Sequence, residues 1–250
     1  MSREQTRPCA QGTGVWQGHA PARAEADVRR AFSMREALCE RPALIVFDLD
    51  GTIADSRELA RESYKRVFRK MGYGEITSEQ ADAFNGPDAD EVCRVMGIGA
   101  DRRPLYDALI DRTDVELVGT IGKMFPGTGE MLAALADHAV LAILTNGSHA
   151  YCDACIDAFG LGPYIALHSG FVSGVTKAER IAMWERELSA RRVICVGDRC
   201  TDIENARRAG AIAIGVTYGM GTAEELAGAD SLCATPQEVE RACLRALGGG

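Results

Sequence analysis

Two carboxylates, Asp48 and Asp50, stand at the end of an unbroken apolar run, Ala43-Leu44-Ile45-Val46-Phe47, and are followed by Gly51-Thr52. Side chains at i and i+2 of an extended segment start on the same face. The glycine allows a sharp turn and a close approach of a ligand to the backbone. In such a pair one carboxylate can attack phosphorus as a nucleophile while the other gives and takes protons. An Asp-x-Asp alone is equally the β-to-helix turn with an N-cap aspartate. The full Asp-x-Asp-Gly-Thr is rarer, arising by chance on the order of once in a few hundred chains of this length at average residue usage.

Three further groups carry chemistry. Gly197-Asp198-Arg199-Cys200-Thr201-Asp202 offers carboxylate oxygens of the kind a hard cation such as Mg²⁺ takes. Mg²⁺ commonly uses one or two protein carboxylates with water and phosphate, which Asp48 and Asp198 could supply. Asp202 suits the first turn of a helix, where the dipole favours it, and a supporting place beside the metal. Thr145-Asn146-Gly147-Ser148 combines a hydroxyl, an amide and a glycine before a helix, where backbone N–H groups attract phosphate. The same four residues are also ordinary turn composition. Lys177 opens a helix; taken alone, a lysine there is usually just solvated.

The elements that must hold these groups follow from hydrophobic pattern. Four short unalternating apolar runs read as buried parallel strands: 43–47, 139–144, 192–196 and 211–216. Helical stretches are expected at 128–137, 149–159, 177–189, 201–209, 222–228 and 236–247. Alternating strands and helices imply a parallel sheet covered on both faces. In such sheets ligands sit beyond the carboxyl ends of the strands, where all the polar groups above fall. Residues 57–122 break the rhythm, with amphipathic patterns at Leu59 to Met71 and Pro104 to Val118 and no buried strand. They read as a helical insert between the first and second strands.

Together, Asp48–Thr52, Thr145-Asn146, Lys177 and Gly197–Asp202 resemble the haloacid dehalogenase (HAD) superfamily of phosphotransferases in order and in strand context. The resemblance spans roughly 43–247 and includes Asp55-Ser56, Phe125-Pro126-Gly127, Ala209-Gly210 and Gly219-Met220-Gly221. It implies a Rossmann-like α/β core over 43–56 and 123–250, with a small α-helical cap at 57–122, as in the phosphoglycolate phosphatase-like group. It implies a Mg²⁺-dependent phosphatase acting on a small phosphorylated metabolite similar to 2-phosphoglycolate through an aspartyl-phosphate. Asp48 is then nucleophile and metal ligand, and Asp50 is general acid/base with its carbonyl a ligand. Gly51, Thr52, Thr145, the Asn146 amide and Lys177 hold phosphate. Asp198 completes the metal site and Asp202 supports it. Asn85, in Asn85-Gly86-Pro87, is the candidate cap residue near substrate. Two alternatives stand beside this reading: a sugar-phosphate phosphomutase using the same Asp48 chemistry, and a non-catalytic phosphate-ligand-binding protein. Dehalogenation is disfavoured, because those relatives lack the second aspartate and the Gly-Asp-x-x-x-Asp pattern.

Composition narrows the partners. The net charge is −8 with no Lys/Arg cluster, which disfavours nucleic acid and an anionic membrane surface. No apolar run approaches the roughly 18 residues of a membrane span. Nine cysteines, odd in number and irregular in spacing, indicate a reducing, cytoplasmic setting. Cys152 and Cys155 form a Cys-x-x-Cys with no second pair at zinc spacing, so they read as two cysteines on a helix. His138, His149 and His168 show no partner pattern and read as structural or surface residues. Residues 1–33 are poor in branched apolar residues and have no signal-peptide core. They are expected to form part of a flexible N-terminal extension over 1–42, with Met34 a candidate true start.

Overall fold

The computed structural model describes residues 42–248. The expected extension and the Met34 start lie outside the described residues, apart from Pro42. Six strands form one parallel sheet: β1 (Ala43–Phe47), β2 (Val140–Leu144), β3 (Ile165–Ser169), β4 (Arg192–Gly197), β5 (Ile212–Val216) and β6 (Ser231–Cys233). Their order is β3-β2-β1-β4-β5-β6. The chain therefore winds outward from β1 to β3, then crosses back to lay β4 on the other side of β1. That reversal puts a topological switch point between the carboxyl ends of β1 and β4, the place where an open α/β sheet leaves a crevice.

Alternation of side chains along the central strand explains the layers. Ala43, Ile45 and Phe47 of β1 face one apolar cluster, which also takes Met131, Leu132 and Leu135 of α5 (Thr128–Ala136). The same cluster holds Cys152 and Cys155 of α6 (His149–Ala158) and Val239 and Cys243 of α9 (Pro236–Gly248). Leu44 and Val46 face the opposite cluster, with Ile181, Trp184 and Leu188 of α7 (Lys177–Leu188) and Ile203 and Ala206 of α8 (Cys200–Arg208). Both faces of β1 are thus sealed, which is why its sequence is apolar throughout.

The insert between β1 and β2 holds α1 (Arg57–Lys70), α2 (Ser78–Ala83), α3 (Ala89–Met96) and α4 (Arg103–Ile121), the stretch expected to act as a cap. It has its own small core of Val67, Phe68, Phe84, Val92 and Tyr106. Leu59 of α1 and Leu117 and Val118 of α4 instead pack into the main core, so both ends of the insert are anchored beside the sheet. Local signals set the short helices. Thr77 and Gln80 form a capping box at the start of α2, Asp88 caps α3, and Gly97 ends α3 in the left-handed conformation at φ 64°.

The structure departs from the sequence reading in three places. Residues 222–228 form consecutive turns rather than a helix. Leu226 there is fully buried and Glu225 is committed to Arg199, so tertiary contacts override a helical pattern only seven residues long. The edge strands β3 and β6 were not expected. His168 and Ser169 interrupt the apolar run of β3, and β6 has only three residues.

Phe47 is fully buried at the end of β1, immediately before Asp48. Replacing Phe47 with Ala should lower stability by about 3–5 kcal/mol, read as a shift of the urea unfolding midpoint.

Candidate active site

The carboxyl ends of β1 and β4 bring the first aspartates together. The two strands pair with Phe47 opposite Val196, and the Asp48 N–H continues the ladder by donating to the Val196 carbonyl at 2.8 Å. Asp48 therefore leaves the sheet beside Gly197-Asp198. Asp48, Asp198 and Asp202 are all buried, and each offers a carboxylate oxygen within 4.8 Å of the others.

Lys177 answers this charge. Thr176 caps α7 through a capping box with Glu179, which makes Lys177 the first helical residue and aims its side chain across the strand ends. Its Nζ donates to Asp48 Oδ1 at 2.6 Å and to Asp202 Oδ1 at 2.8 Å. Burial alone would lower the Lys177 pKa, but Asp202 and Asp48 more than reverse this, so the amine stays protonated. Burial pushes Asp48 well above the carboxylate range, Lys177 pulls it down, and the neighbouring carboxylates raise it again. Asp202 uses both of its oxygens here. Its Oδ2 accepts from the Arg199 N–H at the start of α8, and its Oδ1 takes the lysine.

Asp198 is held on one side only. Oδ2 accepts from the Met220 N–H at 2.7 Å, while Oδ1 is buried with no partner. Burial pushes its carboxyl up to about 7, against the lowering effect of that N–H. A buried, half-satisfied carboxylate beside two others is a donor set of hard oxygens, and it fits a small divalent cation. Gly51 closes this cradle from above. Its φ is +79°, and a Cβ there would run into the Asp198 carboxylate, so only glycine fits.

Asp50 lies across from this cluster. Its Oδ1 accepts from the Tyr151 hydroxyl at 2.6 Å and its Oδ2 from the Thr145 hydroxyl at 3.2 Å. Burial, and next Asp50 itself, raise the Tyr151 pKa well above that of an ordinary phenol, so Tyr151 remains a donor. Ser148 caps α6 by accepting from the Tyr151 N–H, which fixes this tyrosine in the first turn above the strand ends.

The cap closes the site from above. Asn146 Nδ2 donates to the Gly86 carbonyl at 2.8 Å, and Arg199 Nη1 donates to the Asn85 carbonyl at 2.9 Å. Arg199 is itself steadied by Glu225 at 2.8 Å. Asn85, Gly86 and Pro87 thus lie along the cavity wall. The cavity measures about 360 Å³. Asp48, Asp50, Thr145, Asn146, Lys177, Asp198, Asp202 and Asn85 all line it. Gly51 and Thr52 do not. Gly51 lies against Asp198, and Thr52 is fully buried, its carbonyl accepting from the Tyr218 hydroxyl.

Sequence reasoning missed several wall residues. Tyr151 carries no motif. His149, expected to be structural, lines the cavity and accepts the Gly170 N–H on Nδ1, and burial lowers its pKa. From the cap, α4 contributes Arg103, Asp107, Asp111 and Asp114, spaced along one helix face. Asp114 accepts a hydrogen bond from Ser63 and is pushed up to about 7 by burial. Cys152 and Cys155 lie on α6, buried in the core, and are free thiols.

Known proteins resemble this chain in sequence and fold. The family model for haloacid dehalogenase-like hydrolases matches residues 45–216. A tyrosine-protein kinase, PtkA of Mycobacterium tuberculosis, is 27% identical over 192 residues, covering 74% of this chain. The chain spans 65% of the length of that relative. Phosphoglycolate phosphatase of Rhodobacter capsulatus is 31% identical over 180 residues, covering 68% of this chain and 81% of that protein. A crystal structure described as a predicted phosphatase from Clostridium acetobutylicum superposes with a TM-score of 0.73 at 24% identity, covering 82% of this chain and 99% of that one. The family match spans most of β1, the helical insert and the Lys177 and Asp198 loops, and on it the chain belongs to the haloacid dehalogenase-like hydrolases, in their phosphoglycolate phosphatase-like group.

Proposed function

We propose that this protein is a Mg²⁺-dependent phosphatase that hydrolyses a small organic phosphate monoester through an aspartyl-phosphate on Asp48. The observation that carries the reading is the grouping of Asp48, Asp198 and Asp202 around Lys177, with Asp50 lining the same cavity. Relatives named as phosphatases support the class. The free thiols among the described residues, and the lack of any described helix long and apolar enough to cross a membrane, accord with a cytoplasmic setting.

In the first half-reaction an Asp48 oxygen attacks phosphorus, the P–O bond to the leaving alcohol breaks, and Asp50 supplies the proton that the alkoxide takes. In the second, a water attacks the aspartyl-phosphate, Asp50 accepts its proton, and Asp48 is released with inorganic phosphate. Lys177 holds Asp48 in place and offsets negative charge on the phosphoryl oxygens. Tyr151 and Thr145 orient Asp50 through its two oxygens. Asp48, Asp198 and the Asp50 carbonyl would hold Mg²⁺, with Asp202 in support, and the ion would supply charge neutralisation and favour the ionised form of Asp48. Thr145 and the Asn146 amide would seat the phosphoryl group, with Gly51 and Thr52 supporting the loop behind it. Closure of the cap over the cavity excludes bulk water before transfer. Residues 57–122 would act as the cap unit and 43–56 with 123–250 as the catalytic unit.

Phosphate release from a panel of small monoesters should depend on Mg²⁺ and fall by about 10³-fold or more in Asp48→Asn. Equal release by the variant would sink the nucleophile assignment. Transfer between two positions of one sugar phosphate, without net release, would favour the mutase. Lys177→Met leaves three buried carboxylates without their cation, so in metal-free buffer at pH 8 it should cost about 3 kcal/mol of stability. The raised carboxylates take up protons as pH falls, so that penalty should shrink at pH 5. Thermal melts at both pH values check this, and an equal penalty at both would contradict it.

A further inference from the structure

The chemistry at Asp48 is indifferent to the alcohol that departs, so the walls above it must choose. Those walls are acidic. The cap helix α4 lines the cavity with Asp107, Asp111 and Asp114. The cationic side chains that line the cavity among the described residues are already engaged. Arg103 binds Asp90 at 2.6 Å and Asp107 at 2.7 Å. Lys177 is shared by Asp48 and Asp202, and Arg199 binds Glu225 and the Asn85 carbonyl. His149 is kept neutral by burial. Asp111 has no ion-pair or hydrogen-bond partner among the described residues.

A second observation points to the same ligand. Asn85 is 7% exposed and lines this cavity, and its Nδ2 is buried with no partner. An amide N–H left this way asks for an acceptor. A substrate hydroxyl satisfies both demands, because it accepts from Asn85 and donates to a cap carboxylate. A carboxylate on the leaving group satisfies only the first, and it meets like charge with no free cation nearby.

Resting on the phosphatase reading, we infer that the leaving alcohol carries a hydroxyl group and no carboxylate, and that Asp111 with its neighbours on α4 selects it. This narrows the substrate class away from phosphoglycolate itself. Asp111 is the cause, since a carboxylate brought beside it meets a like charge that no described cation balances.

Three monoesters of equal length test it: 2-hydroxyethyl phosphate, 2-aminoethyl phosphate and 2-phosphoglycolate. With Mg²⁺ at pH 7.5, kcat/KM for 2-phosphoglycolate should lie at least about tenfold below the other two. In Asp111→Asn that gap should narrow about threefold, and in Asp111→Lys further, because the repelling charge is removed and then reversed. Asp111 is only partly buried, so neither change should prevent folding. Preference for 2-phosphoglycolate, or a gap unchanged in both variants, would overturn the inference while leaving the phosphatase intact. No release from any of the three would instead bring down the phosphatase reading, and this inference with it.

Discussion

Three buried carboxylates share one buried ammonium, and the rest of the molecule is arranged to tolerate that imbalance. Isolated charges in a low-dielectric interior are costly and usually neutralise by shifting their pKa. Here burial raises Asp48 and Asp198, and Lys177 stays charged only because two carboxylates hold it. A site of this kind needs rigid backbone on every side, since small displacements would let water or a counter-charge relax it. The sealed central strand, two capped helix starts and the glycine at 51 supply that rigidity.

The sheet topology follows from the same demand. Asp48 and Asp198 must approach from separate segments without passing through a mobile loop, and adjacent parallel strands do this with one register. The Asp48 N–H bond to Val196 carries the ladder one residue past β1, so nucleophile and β4 loop leave the sheet as a unit. Lys177 reaches the same point from a helix that precedes β4. The switch point between β1 and β4 is the part of this sheet where such an approach is possible without a covering crossover.

What was legible in the sequence divides along this line. The core site was readable because each of its parts sits in a contiguous stretch at a strand or helix end, where a buried run abruptly becomes polar. Asp48, Thr145 and Asp198 announce themselves this way, and Lys177 stands where a helical pattern opens. Gly51 and Thr52 were read from the same motif, yet they support the loop from behind instead of lining the cavity. Tyr151, His149 and the α4 carboxylates were not readable. Their places depend on how α6 and the cap pack above the strand ends, and an Asp at helical spacing looks the same whether it faces a cavity or solvent. The edge strands failed for a related reason: one exposed flank and a short length remove the unalternating apolar signal that marked the central strands.

The cap works under a different physical constraint. Its own core of aromatic and aliphatic side chains needs only apolar packing, so the surface it turns to the cavity is free to vary without unfolding the helices. Contact with the core, by contrast, runs through main-chain carbonyls: Gly86 takes Asn146 and Asn85 takes Arg199. Bonds to carbonyls do not depend on which side chains the loop carries. Closure and recognition are therefore separable in this architecture. The latch fixes where the cap sits, and the face of α4 sets what it meets there. A cluster of buried charges that is costly to alter is thus paired with a wall that is inexpensive to alter.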